Sequence, residues 1–122
     1  MKTLTKAEEQ IMQILWQLER AFTKEIVAEF DNTKKPSYTT VATVLTVLEK
    51  KGFVEQEMIG NAKRYSPLVP KEEYAKEAAQ GLISKYFDGS LSRLVSHFTD
   101  KKEVDLDELD QIISLLEQKK KK

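Results

Sequence analysis

The chain has 122 residues, with 20 basic and 20 acidic side chains that cancel to a formal net charge of zero. That length is one domain's worth, burying roughly two-thirds of its unfolded surface, and no apolar run is long enough for a membrane span or set up as a signal peptide. With no cysteine it excludes disulfide staples and thiolate metal sites, which fits a reducing, cytoplasmic compartment.

Thr5-Lys-Ala-Glu8 is a capping-box pattern ahead of an apolar run. Ile11, Ile14, Leu15 and Leu18 form one stripe, widened by Met12 and Trp16, so a first helix is predicted over 5–18. A second, shorter helix starts behind Thr23 and runs through Ile26, Val27 and Phe30. Residues 31–36 are polar and end in Pro36, which reads as a turn. Ser37 can cap a third helix, with Val41, Val44, Leu45 and Leu48 on one side and Gly52 as its stop. Three short helices with a tight connection before the third match a helix-turn-helix.

A strand over 53–59, a Gly60-Asn61 turn and a return strand over 63–67 predict a hairpin, which Pro67 ends or marks as an edge. Pro70-Lys-Glu-Glu opens a fourth helix carrying Tyr74, Ala78, Leu82 and Tyr86 at four-residue spacing. Gly81 weakens that helix by about 1 kcal/mol relative to alanine. Asp88-Gly89 breaks the helix and Ser90 caps a fifth, with Leu91, Leu94, Val95 and Phe98 on one stripe. Asp105 caps a last helix whose seam is Leu106, Leu109, Ile113 and Leu116. The predicted fold class is mainly α with a small β-hairpin. A winged helix-turn-helix DNA-binding domain occupies 1–70 and a helical dimerisation region 71–122.

The third helix carries the chemistry. At about 100° per residue, Thr39, Ala42, Thr43, Thr46 and Lys50 fall opposite its apolar stripe. Threonine is a modest helix former, so four of them in one short helix need tertiary packing or a surface task to support them. Hydroxyls can hydrogen-bond phosphates or base edges, and methyls can touch the thymine methyl in the major groove. The bland alternative is a solvated threonine face, and on the helix alone the two readings are even. Ser37, Thr39, Thr40, Ala42, Thr43, Thr46 and Lys50 are the expected DNA-contacting residues, joined by Lys63 and Arg64 just past the hairpin tip. Two basic residues beside a turn are usually just solvated; their place after a candidate recognition helix is what raises them.

Net neutrality argues against a nucleic-acid binder. The distribution argues the other way, with six Lys/Arg against three Glu between Thr33 and Arg64. A dimer making about six phosphate contacts would show a log–log salt slope of roughly −5.

Leu4-Thr-Lys-Ala-Glu-Glu-Gln-Ile-Met-Gln-Ile-Leu-Trp16 resembles the L-T-x-A-E-x-x-[IV]-M-x-x-[LIV]-W opening helix of the penicillinase-repressor (BlaI/MecI/CopY) family of bacterial winged-helix regulators. Tyr38-Thr-Thr-Val-Ala-Thr-Val-Leu-Thr-Val-Leu-Glu-Lys-Lys-Gly52 is similar to that family's recognition helix, and Arg64-Tyr65 with Pro67 to the end of its wing. The resemblance covers nearly the whole chain. It implies a dimeric repressor of β-lactam-resistance genes bound to double-stranded DNA.

The stripes of the C-terminal half exceed what one segment satisfies internally. Tyr74, Ala78, Leu82, Leu91, Leu94, Val95, Leu106, Leu109, Ile113 and Leu116 are therefore expected to form a homodimer interface, unless they pack back on the same chain's winged helix. A two-fold dimer would meet a pseudo-palindromic operator. Lysines 119–122 read as a solvated end favourable to the helix dipole.

The resemblance also implies release by cleavage at an Asn-Phe bond in the dimerisation region, after a membrane sensor detects a β-lactam. The matching pair is His97-Phe98, and the replaced asparagine leaves open a shifted site, a protease of different preference, or no cleavage. His97 is the only histidine and lacks companion ligands, so no metal is expected; the cysteine cluster implied for the copper-responsive branch is absent. There is no Gly-rich phosphate loop and no recognisable nucleophile–base set, so neither an enzyme nor a cofactor is expected. Neutrality keeps a second class in play: a winged-helix module that binds protein rather than DNA.

Overall fold

The computed structural model describes residues 3–100 and 105–120. It divides into two compact units, Met1–Ala78 and Ala79–Lys122.

The first unit opens with helix α1 (Lys6–Leu18). Thr5 caps it: its hydroxyl accepts the Glu8 N–H, and the Glu8 carboxylate accepts the Thr5 N–H at 2.9 Å, closing the box. Strand β1 (Ala21–Phe22) follows, then helix α2 (Thr23–Ala28) and helix α3 (Tyr38–Lys50). The wing is β2 (Val54–Ile59) and β3 (Ala62–Pro67), paired antiparallel with Ile59 opposite Ala62. Gly60 has φ +62 at the first loop position, where a type II′ hairpin turn favours glycine. The sheet order is β1-β3-β2.

Three details depart from the sequence expectation. β1 was not foreseen, because two residues carry no periodicity; it exists only through its pairing of Ala21 with Tyr65 and Phe22 with Arg64. Helix α2 stops at Ala28, short of Phe30, because its last turn tightens: Glu29 N–H bonds to Ile26 O and Phe30 N–H to Val27 O. Phe53 lies just before the strand, which starts at Val54: its N–H closes the stop of α3 on Leu48 O at 3.0 Å, while its carbonyl accepts the Leu68 N–H at 2.8 Å.

The core lies where α1, α2, α3 and the sheet converge. Met12 and Leu15 of α1, Ile26 of α2 and Val41, Leu45 and Leu48 of α3 are fully buried, with Phe53 and Val54 closing the wing side. Tyr74, from the start of helix α4 (Lys71–Tyr86), packs beside this core. Its hydroxyl accepts the Leu4 N–H at 3.1 Å, and its ring lies 6.0 Å from Trp16 and 5.8 Å from Phe53. Trp16 in turn donates its indole N–H to Val69 O at 2.8 Å.

Helix α4 runs unbroken through Gly81. The second unit comprises the end of α4, helix α5 (Leu91–Asp100) and helix α6 (Leu106–Lys120). Asp88 and Gly89 adopt positive φ between α4 and α5. Ser90 accepts the Arg93 N–H and Asp105 the Glu108 N–H, so both predicted caps are present. Among the described residues none in this unit is buried. Lysines 119–122 lie outside the residues whose side chains are described.

Candidate nucleic-acid interface

Helix α3 is held by both ends. At its start Ser37 Oγ accepts the Thr40 N–H at 3.1 Å and shares a 2.9 Å hydroxyl contact with Thr40 Oγ1. At its end Gly52 has φ +84, the left-handed conformation that costs an L side chain about 1–2 kcal/mol. Gly52 N–H bonds to Glu49 O while Phe53 N–H bonds to Leu48 O, which is a Schellman stop with Leu48 and Phe53 both buried beneath it.

With Val41, Leu45 and Leu48 turned into the core, the opposite face of α3 is presented outward. Thr39, Thr43, Thr46 and Lys50 are exposed there, with Ala42 half-buried among them; Ser37, at the cap, and Thr40 are exposed to the side of that face. The structure thus leaves six of the seven predicted helix residues exposed. It also decides their hydrogen-bonding character. Thr43 Oγ1 donates to Thr39 O at 2.9 Å and Thr46 Oγ1 to Ala42 O at 3.0 Å. Their protons are committed to the helix, leaving oxygen lone pairs and methyl groups for anything that approaches.

The basic residues before, within and after this helix differ in exposure and pairing. Lys50 is exposed, as are Lys34 and Lys35 in the turn before Ser37, which the sequence reading left out of its residue set. Tyr38, 59% exposed at the first helical position, also lies outside the predicted set. Lys63 is exposed on the wing. Arg64, in contrast, is braced across the hairpin by Glu57, its register partner, with Nε 3.1 Å from Glu57 Oε1. Lys51 turns inward to Glu8, Nζ to Oε1 at 2.7 Å.

Among the described residues two titrating groups are shifted. Burial pushes the Glu8 carboxyl up, but the Lys51 hydrogen bond, the Thr5 N–H, the Lys51 charge and the Thr5 hydroxyl together outweigh it and hold it below its ordinary value. Burial pushes Tyr65 up, and the Glu49 carboxylate and Tyr38 on α3 push the same way, so its phenol stays neutral.

The C-terminal stripes are open surfaces. Leu82, Leu91, Ile113 and Leu116 are exposed, Leu106 is 78% exposed, and Leu94, Val95 and Leu109 are half-buried. Ala78 is exposed, whereas Tyr74 packs in the N-terminal unit as described. His97 and Phe98 sit in the second half of α5; the imidazole meets Phe87 at 6.0 Å and Phe98 edge-on at 5.7 Å. Among the described residues no group of acidic, histidine or cysteine side chains could hold a metal ion. None of the described helices is long and apolar enough to cross a membrane.

A three-helix core, a capped third helix facing outward and a two-stranded wing define a winged helix-turn-helix module, the architecture of a DNA-binding regulator. The chain belongs to the penicillinase repressor family, whose profile matches residues 4–118. The methicillin resistance regulatory protein MecI of Staphylococcus aureus (strain N315) is 28% identical over 116 residues, spanning 95% of this chain and 94% of that one. The penicillinase repressor of Bacillus licheniformis is 24% identical over 117 residues, or 96% and 91% of the two chains. Among solved structures, the DNA-binding domain of the repressor BlaI superposes with a TM-score of 0.52 at 28% identity, covering 61% of this chain and 94% of that one. The protein is a DNA-binding transcriptional repressor and not an enzyme.

Proposed function

We propose that this repressor acts as a homodimer on a pseudo-palindromic operator controlling β-lactam-resistance genes, in the cytoplasm. The observation that carries the DNA-reading half is the outward face of α3. Small hydroxyl-bearing side chains project from a helix clamped at both ends, with cations at Lys34, Lys35, Lys50 and Lys63 around it. Small side chains let the helix backbone approach the groove floor, where methyls and acceptors meet base edges. In this reading Ser37, Thr39, Thr40, Ala42, Thr43 and Thr46 meet the bases and nearby sugar-phosphate. Lys50, Lys63 and Arg64 serve the phosphates.

The dimer half rests on the second unit. Among the described residues these helices carry apolar stripes but no buried residue, so they gain their burial from something else, and a second copy of the same helices is the simplest partner. Each recognition helix carries few cations, so pairing two of them supplies affinity through effective concentration. The resistance target is supported by the relatives, a methicillin resistance regulatory protein and a penicillinase repressor.

Release by proteolysis would act on the same unit. The His97–Phe98 bond lies inside α5, so a protease requires that turn of helix to open first. Cutting there would detach α6 and separate the two half-site contacts.

Thr43→Glu places a carboxylate against the phosphates without touching the core. Operator binding should be lost while circular dichroism and sedimentation remain those of the parent. Retained operator affinity in that variant would show that α3 is not the reading helix. Absence of DNA binding by the parent at any salt would favour the protein-docking class instead.

A further inference from the structure

Two adjacent lysines end the recognition helix, and the structure separates them. Lys50 is exposed, and its ammonium has no partner among the described residues. Lys51 is the C-cap of α3 and donates its N–H to Val47 O at 3.0 Å, while its side chain is only 22% exposed. Its ammonium ends 2.7 Å from Glu8 Oε1, on a carboxylate whose side chain is 7% exposed. The same Oε1 accepts the Thr5 N–H at 2.9 Å. One carboxylate oxygen therefore ties the first turn of α1 to the last turn of α3, across 43 residues of sequence.

We infer that Glu8 and Lys51 are positioning residues for DNA recognition: their ion pair sets the attitude of α3 against α1, and Lys51 is not a phosphate contact. The inference rests on the DNA-binding reading of α3. Three features support it. The pair joins the last turn of α3 to the first turn of α1 through a directional contact, which the non-directional burial of Leu45 and Leu48 does not supply. The carboxylate is already oriented by the helix cap of α1, so the lysine docks on a fixed anchor. A charged pair this enclosed is costly to break, since removing one partner strands the other.

The proposal opposes simple charge counting. Glu8→Gln removes a negative charge from a DNA-binding protein, so electrostatics alone predicts tighter binding. A positioning role predicts weaker specific binding.

The test uses the full chain and the double-stranded DNA that the parent selects from a random pool, with a scrambled duplex as competitor. Parent, Glu8→Gln, Lys51→Met, Lys51→Arg and Lys50→Gln are titrated from low to moderate salt. Lys50→Gln should reduce the log–log salt slope by about one per half-site and keep the specific-to-nonspecific ratio. Lys51→Met and Glu8→Gln should keep the slope and lower the ratio by roughly tenfold, the scale of one lost base contact. Lys51→Arg should restore the ratio.

A Lys51→Met slope that falls like that of Lys50→Gln, or tighter specific binding by Glu8→Gln, would overturn the inference. Should Lys51→Met fail to fold, Glu8→Gln and Lys51→Arg decide it by the same readouts. Failure of the parent to select any DNA would instead count against the DNA-binding reading of α3.

Discussion

Arg64 and Glu57 face each other across the wing and form an ion pair, so this arginine is already engaged by a carboxylate of its own hairpin. Lys63, one residue away in β3, is exposed. The two cations therefore differ in what they offer DNA. Lys63→Ala should reduce the salt slope of operator binding by about one per half-site. Arg64→Ala should change it by less. Glu57→Gln should tighten binding by releasing Arg64. Salt titrations of the three variants check this ordering, and an Arg64→Ala effect exceeding that of Lys63→Ala would contradict it.

Glu8 should make stability fall in acid. Its folded carboxyl titrates below the ordinary glutamate value, so its contribution is complete above about pH 4.3, the unfolded value, and is lost as pH falls through the lower folded value. Glu8→Gln at neutral pH should cost about 1.5–3 kcal/mol, the scale of a hydrogen bond to a charged group. Urea denaturation of parent and variant should show a gap that is widest near neutrality and narrows below pH 4.3. A gap independent of pH would mean that the charge on Glu8 is not what stabilises the pair.

Thr43 presents its methyl and a lone pair, because its proton is bound to Thr39 O. Thr43→Val should therefore hold operator affinity close to the parent's, while Thr43→Ser loses about fourfold, the worth of one buried methyl at about 0.8 kcal/mol. Replacing the operator's thymines with uracil should weaken the parent and leave Thr43→Ser less affected. The reverse order, with valine worse than serine, would assign the hydroxyl rather than the methyl to recognition.

Tyr74 anchors the N-terminal unit. Tyr74→Phe keeps the ring contacts with Trp16 and Phe53 but leaves the Leu4 N–H without its acceptor, at a cost of about 1 kcal/mol. Tyr74→Ala removes the ring as well and should cost roughly 2–4 kcal/mol. Both losses are expected in the denaturation of the N-terminal unit. A change confined to the dimer dissociation constant would instead return Tyr74 to the dimer stripe.

The parts of this protein legible in its sequence are those governed by near neighbours. The Thr5–Glu8 box, the Ser37 cap, the 3.6-residue stripe of Val41, Leu45 and Leu48, the Gly52 stop and the Gly60 turn each depend on residues a few positions apart. Local backbone sterics and helical period decide such features, and those are written directly in residue order. The outward threonine face followed from the same period, because the side opposite a buried stripe must be exposed.

Only the tertiary structure decided what distant residues do to one another. β1 is two residues long and exists because β3 passes beside it. Lys51 and Arg64 look like free cations in the sequence, yet each is taken by a carboxylate, one 43 residues away and the other across the hairpin. Tyr74 sits at a helical spacing that suits a dimer stripe, yet its ring turns to Trp16 and Phe53. Spacing along the chain reports which residues share a face, while the partner of a charge or a ring is set by which surfaces meet on folding. Sequence alone therefore determined that α3 turns a face of small hydroxyl-bearing side chains outward. The fold decided which of the flanking cations are paired with carboxylates and which stand exposed, because those partners meet only when distant surfaces pack.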